Sequence, residues 1–77
     1  MTSMTAEQVK RMTIEDLIAL PDLTVGTAIT AHFLEMDRWN VTLAARQGTL
    51  PVESHFSGNR LHVVKRDILR YLGYSAQ

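Results

Sequence analysis

Residues 52–64 read Val-Glu-Ser-His-Phe-Ser-Gly-Asn-Arg-Leu-His-Val-Val. The apolar period here is two, the repeat of a strand, and Ser57-Gly58-Asn59 carries turn chemistry at the centre. With Gly58 and Asn59 at the tip, Phe56 opposes Leu61 and Ser54 opposes Val63. That register gathers Val52, Phe56, Leu61 and Val63 on one face and leaves Glu53, His55, His62 and Val64 on the other. A slip of one residue would move the apolar set to the wrong side. The stretch predicts a two-stranded hairpin, and the other elements are fitted around it.

Upstream, Asp37 is a good N-cap and Gly48 a good helix stop, so a helix is predicted over residues 38–47. At 100° per residue Val41, Ala44 and Ala45 share a small apolar face, with Trp39, Leu43 and Arg46 opposite. Before it, "LTVGTAITAHFLEM" (23–36) predicts a short helix with Ala28, Ala31 and Leu34 as its buried stripe. Earlier still, Thr5 with Gln8 forms a capping box, and Thr13 caps a second segment with Ile14, Leu17 and Ile18 on one face. Pro21-Asp22 ends that segment, and residues 1–4 read as a frayed end. Downstream, "KRDILRYLG" (65–73) predicts a closing helix. In it Ile68, Leu69 and Leu72 point inward, Arg66 and Arg70 outward, and Gly73 is the stop.

The order is helix, short helix, tight turn, helix, hairpin, helix. Two short helices joined by a tight turn make a helix-turn-helix, and a hairpin directly after the second makes a winged one. The expected class is α+β, mostly helical: a winged helix-turn-helix domain over 23–73, with a two-stranded wing. An N-terminal helical extension (1–22) precedes it and a tail (74–77) follows.

Composition narrows the function. Seventy-seven residues allow one small domain. There is no cysteine, hence no disulfide and no thiolate metal site, which fits a reducing, cytoplasmic setting. No apolar run approaches the roughly 18 residues that span a membrane, and the first residues lack the layout of a signal peptide. No phosphate-binding glycine loop, nucleophilic cysteine or metal motif is present, so no enzyme, cofactor, metal or small-molecule substrate is expected. His55 and His62 face each other in the register above, but two histidines without a third ligand are a poor zinc site.

Net charge is zero, yet it is unevenly spread. Residues 1–37 carry Lys10 and Arg11 against Glu7, Glu15, Asp16, Asp22, Glu35 and Asp37, a net −4. Residues 38–77 carry Arg38, Arg46, Arg60, Lys65, Arg66 and Arg70 against Glu53 and Asp67, a net +4. Either the basic half meets a polyanion, or the halves attract each other.

From Leu23 to Gly73, about two thirds of the chain, the sequence resembles the MerR-like, excisionase-type winged helix-turn-helix domains. The resemblance rests on "LTV" opening the first helix and on a second helix ending in "ARQGTLP". A hairpin with a glycine turn and Arg60 just after it, then "KRDILRYLG", complete it. It implies that the helix after Asp37 enters the major groove of double-stranded DNA and that the wing lies on the backbone or minor groove. Arg38, Trp39, Thr42 and Arg46 match the reading positions, and Asn59 and Arg60 the wing. Lys65 joins them as part of the basic face. The resemblance further implies an excisionase, or recombination directionality factor, or else a small transcription regulator of a mobile element. An integrase or recombinase partner and self-association on DNA would go with it. Glu35, where the family's turn often has glycine, and Trp39 and Leu43, where a base-reading surface is usually polar, depart from the pattern. Trp39 could pack at the groove on a sugar or thymine methyl, anchor a protein partner with Leu43, or fold back under the N-terminal helices. Burial is favoured, because large aromatics are mostly buried in part.

Overall fold

The computed structural model describes residues 5–74. The expectations for residues 1–4 and 75–77 lie outside the described residues. Eight elements follow in order: α1 (Ala6–Lys10), α2 (Ile14–Ala19), β1 (Thr24–Val25), α3 (Thr27–Leu34), α4 (Arg38–Gln47), β2 (Ser54–Ser57), β3 (Arg60–Val64) and α5 (Lys65–Tyr71). The described chain is an α+β fold with five helices and a three-stranded antiparallel sheet.

The two N-terminal helices begin as their caps require. The Gln8 N–H donates to the Thr5 hydroxyl at 3.2 Å, and the Thr5 N–H donates back to Gln8 Oε1 at 2.8 Å. Thr13 and Asp16 repeat the reciprocal pair at 3.2 and 2.9 Å. Two otherwise orphaned N–H groups are satisfied at each start, which lets helices this short persist. Leu17 is fully buried and Ile14 packs against the core, but Ile18, expected on the same face, is half exposed.

The hairpin has the anticipated register. Ser54 pairs with Val63, His55 with His62, Phe56 with Leu61 and Ser57 with Arg60. Gly58 at the tip has φ +64°, and Asn59 is not among the positive-φ residues, the pattern of a type II′ turn. The sheet has one strand more than expected. Thr24 pairs with Val64 and Val25 with Val63, so β3 is the central strand of the order β1-β3-β2. Thr24 and Val25 of "LTV" therefore form a strand instead of opening the first helix. Both strand residues are β-branched and suit a pleated surface, and Gly26 then serves as the N-cap of α3.

The core joins all layers. Leu17 of α2, Val41 of α4, Val63 of β3 and Ile68 of α5 are fully buried, as is Thr30 of α3. Thr30 is accommodated because its hydroxyl donates to the Gly26 carbonyl at 2.9 Å, so no polar atom is left unpaired. Ala31, Phe33 and Leu34 are buried with it, while Ala28 is half-buried. On α5, Ile68 and Leu69 face in and Leu72 packs against them, with Arg66 and Arg70 outside.

Three helices end in the same way. Thr49 N–H donates to the Ala44 carbonyl past Gly48 (φ +73°), and Tyr74 N–H to that of Leu69 past Gly73 (φ +92°). Met36 N–H does so to Ala31 past Glu35, which is held at φ +56°, the one non-glycine with positive φ among the described residues. This six-residue closure is the Schellman stop, and glycine is its usual occupant.

Candidate nucleic-acid interface

α4 spans Arg38–Gln47, within the bounds that Asp37 and Gly48 predict. Asp37 occupies the N-cap with extended backbone but makes no side-chain capping bond. Val41 is buried, and Ala44 and Ala45 are half-buried beside it. The opposite face is free. Trp39 is 72% exposed, so it does not fold back under the N-terminal helices, and Leu43 is exposed one turn later. The helix starts too far around from its Val41 face for the indole to reach the core.

Arg38 opens this helix and is exposed. It lines a concavity of about 470 Å³ together with Asn59, Arg60, Leu61 and His62 of the hairpin and Gly26 and Thr27 at the start of α3. Two arginines 22 positions apart in the chain thus meet on one depression. Neither belongs to an ion pair: among the described residues the pairs are Arg11–Glu7 at 3.9 Å and Arg70–Asp67 at 3.7 Å. Arg38 and Arg46 do not pair with Asp37 or Glu35, and no ion pair joins the acidic to the basic half among the described residues. The uncompensated guanidiniums sit beside the first N–H groups of α3, whose N-cap Gly26 offers no side-chain acceptor. Both features make the depression electropositive.

Arg46, at the other end of α4, lies over the Phe56 ring at 4.7 Å. The interaction couples the last turn of the helix to β2, so both ends of α4 face the hairpin. Thr42 is half-buried on the flank between Arg38 and Arg46.

Lys65 is placed elsewhere. Its ammonium donates to the carbonyl oxygens of Leu20 at 2.5 Å and Ile18 at 3.4 Å, at the end of α2, and its own N–H donates to Leu23 at 3.0 Å. α2 has no basic residue in its last turn, so Lys65 supplies the cation that its C-terminal carbonyls favour. The expected surface cation is a half-buried tether that stitches residues 18–23 to the start of α5. Arg70 is turned toward Asp67, whose other oxygen accepts the Glu53 N–H at 2.9 Å.

Sequence reasoning missed His62 and the Gly26–Thr27 turn as members of the depression. Both depend on β1 pairing beside β3, a pairing across some 40 positions for which a two-residue strand gives little local signal. His62 itself stacks on His55, ring centroids 5.2 Å apart, and no three of His, Cys, Asp and Glu among the described residues gather as a metal site. No helix among these residues is long and apolar enough to cross a membrane. No protein-family model matches the chain, and no curated protein or solved structure matches it at a meaningful level.

Proposed function

We propose that the chain is a small, non-enzymatic DNA-binding protein with a winged helix-turn-helix architecture. In it α3, the Glu35–Asp37 turn and α4 form the helix-turn-helix, and β2–β3 form the wing. The observation that carries this reading is the convergence of unpaired Arg38 and Arg60 on one depression between α4 and the hairpin. An exposed helix with two arginines and no carboxylate lies alongside. Cations held apart from their counter-charges are poised for phosphates, whose contacts dominate nucleic-acid affinity.

In this reading α4 lies in the major groove of double-stranded DNA with Arg38 and Trp39 outward, half-buried Thr42 on the flank and Arg46, stacked on Phe56, at the hairpin edge, and Asn59 and Arg60 meet the flanking backbone or minor groove. The sequence resemblance extends it to an excisionase-type factor acting with an integrase or recombinase and self-associating on DNA, or to a transcription regulator of a mobile element. The test is anisotropy of labelled duplexes, including attachment-site and own-promoter DNA, over a salt series. Binding should weaken steeply, log K falling by about 0.9 per neutralised phosphate for each unit of log salt. Absence of binding to any duplex at low salt defeats the proposal.

A rival reading, a protein-interaction module on the same scaffold, draws on the exposure of Trp39 and Leu43 and on the zero net charge. It predicts a partner complex that is insensitive to salt and lost in Trp39→Ala.

A further inference from the structure

We infer that Trp39 and Leu43 read thymine methyl groups in the major groove, so that the protein prefers A·T pairs under α4. The inference rests on the DNA reading above. Trp39 and Leu43 are the large apolar residues exposed on α4, 72% and 38% respectively, and at a spacing of four they share one face. Arg46 continues that stripe by another turn, and Arg38 and Thr42 flank it. Within α4 the residues flanking the apolar pair are cationic or neutral, since the helix contains no Asp or Glu, and the nearest carboxylates in the chain, Asp37 and Glu35, precede its first residue.

Charge selects the occupant. A protein covering Trp39 would have to bring carboxylates to both arginines. A duplex brings phosphates along both edges of a groove about 12 Å wide, into which a helix fits. On the floor of that groove the one apolar group a base edge offers is the C5-methyl of thymine. The rise from Trp39 to Leu43 is roughly 6 Å, against about 3.4 Å per base step. Two methyls one or two steps apart lie within reach.

The test uses two duplexes of the same A·T-rich sequence, one containing thymine and the other uracil throughout, which removes the methyl and keeps the hydrogen-bonding edges. Affinities are measured at low salt for the full chain, for Trp39→Ala, for Leu43→Ala and for the double variant. The emission of Trp39, the chain's one tryptophan, is followed in parallel. Each buried methyl is worth about a fourfold change in affinity, so with two methyls the thymine duplex should bind roughly fifteenfold more tightly. Trp39→Ala and Leu43→Ala should each cut the preference by about fourfold, and the double variant should bring the two duplexes close to parity. Both side chains are exposed, so circular dichroism should show all the variants folded. Equal affinity of the unmutated chain for the two duplexes overturns the inference while leaving DNA binding intact. Saturated DNA binding with unchanged Trp39 emission overturns it too, and hands the residue to a protein partner. Failure to bind either duplex defeats the underlying DNA reading, an outcome seen before any methyl comparison is made.

Discussion

Lys65 and Arg70 of α5 have the same chemistry as Arg38 of α4 and Arg60 of the hairpin, and opposite employment. At the start of α5, Lys65 is folded onto the Leu20 and Ile18 carbonyls, and one turn later Arg70 leans on Asp67. On α4 and β3, Arg38 and Arg60 meet at a depression without any carboxylate partner among the described residues. Lys65 uses its charge within the fold and Arg70 shares its own with Asp67 at the surface, whereas Arg38 and Arg60 leave theirs available. A basic half therefore overstates the surface presented to a polyanion, and only the surroundings of each ammonium or guanidinium separate tether from interface. Substitutions at the two sets should divide cleanly between stability and binding.

The largest effect should come from the apolar anchor that the α5 tether accompanies. Leu17→Ala empties a fully buried site on α2 and should cost about 2–5 kcal/mol in chemical denaturation, enough to unfold much of a domain this small. If residues 1–22 were an arm appended to an independent domain, the main transition would not move. Lys65→Met comes next. It keeps the stem, removes two charge-assisted bonds to carbonyls and should cost about 1.5–3 kcal/mol. DNA affinity per folded molecule should hardly change, and weaker binding at unchanged stability would move Lys65 back to the interface.

Arg38→Ala and Arg60→Ala should behave in the opposite sense. Thermal unfolding should stay in place, since neither side chain has an ion-pair partner among the described residues. Affinity for duplex DNA should fall by about tenfold, and the log–log salt slope should shrink by about one for each phosphate that the missing guanidinium no longer neutralises. A fall in melting temperature with an unchanged slope would break the comparison from that side.

These contrasts also show what a sequence can reveal. The hairpin register was legible because a glycine tip and a two-residue period leave one pairing with a single apolar face. The end of α4 was legible because Gly48 acts locally, its start falls after Asp37 although that side chain makes no capping bond, and Val41 was legible as its inward residue. β1 was not, since Thr24 and Val25 become a strand only when β3 lies beside them. Lys65 was not, because its neighbour Arg66 has the same sign and only the end of α2 distinguishes them. Trp39 was misjudged by residue type: its place opposite Val41 outweighs the general preference of large aromatics for burial. Of the candidate site, the residues of α4 and the hairpin tip could be named, but their convergence on Gly26 and Thr27 is a tertiary fact.

The smallest expected effect concerns the turn that sets α4 against α3. α4 and α5 stop at Gly48 and Gly73, and α3 stops at Glu35 in the same left-handed conformation, φ +56° and ψ +45°. An L-residue with a Cβ pays roughly 1–2 kcal/mol there, and glycine returns roughly 0.5–1 of that as extra chain entropy on folding. Glu35→Gly should therefore stabilise the fold by about 0.5–1 kcal/mol, and Glu35→Val should destabilise it, because a β-branched residue tolerates positive φ least. The Met36 N–H to Ala31 carbonyl bond, 3.0 Å, fixes the turn whichever residue occupies position 35. α4 should then keep its place beside α3, and Glu35→Gly should leave DNA affinity almost unchanged. A variant that is more stable yet binds less well would mean that the strain at Glu35, and not only the unpaired charge of Arg38, helps to hold α4 in its binding position.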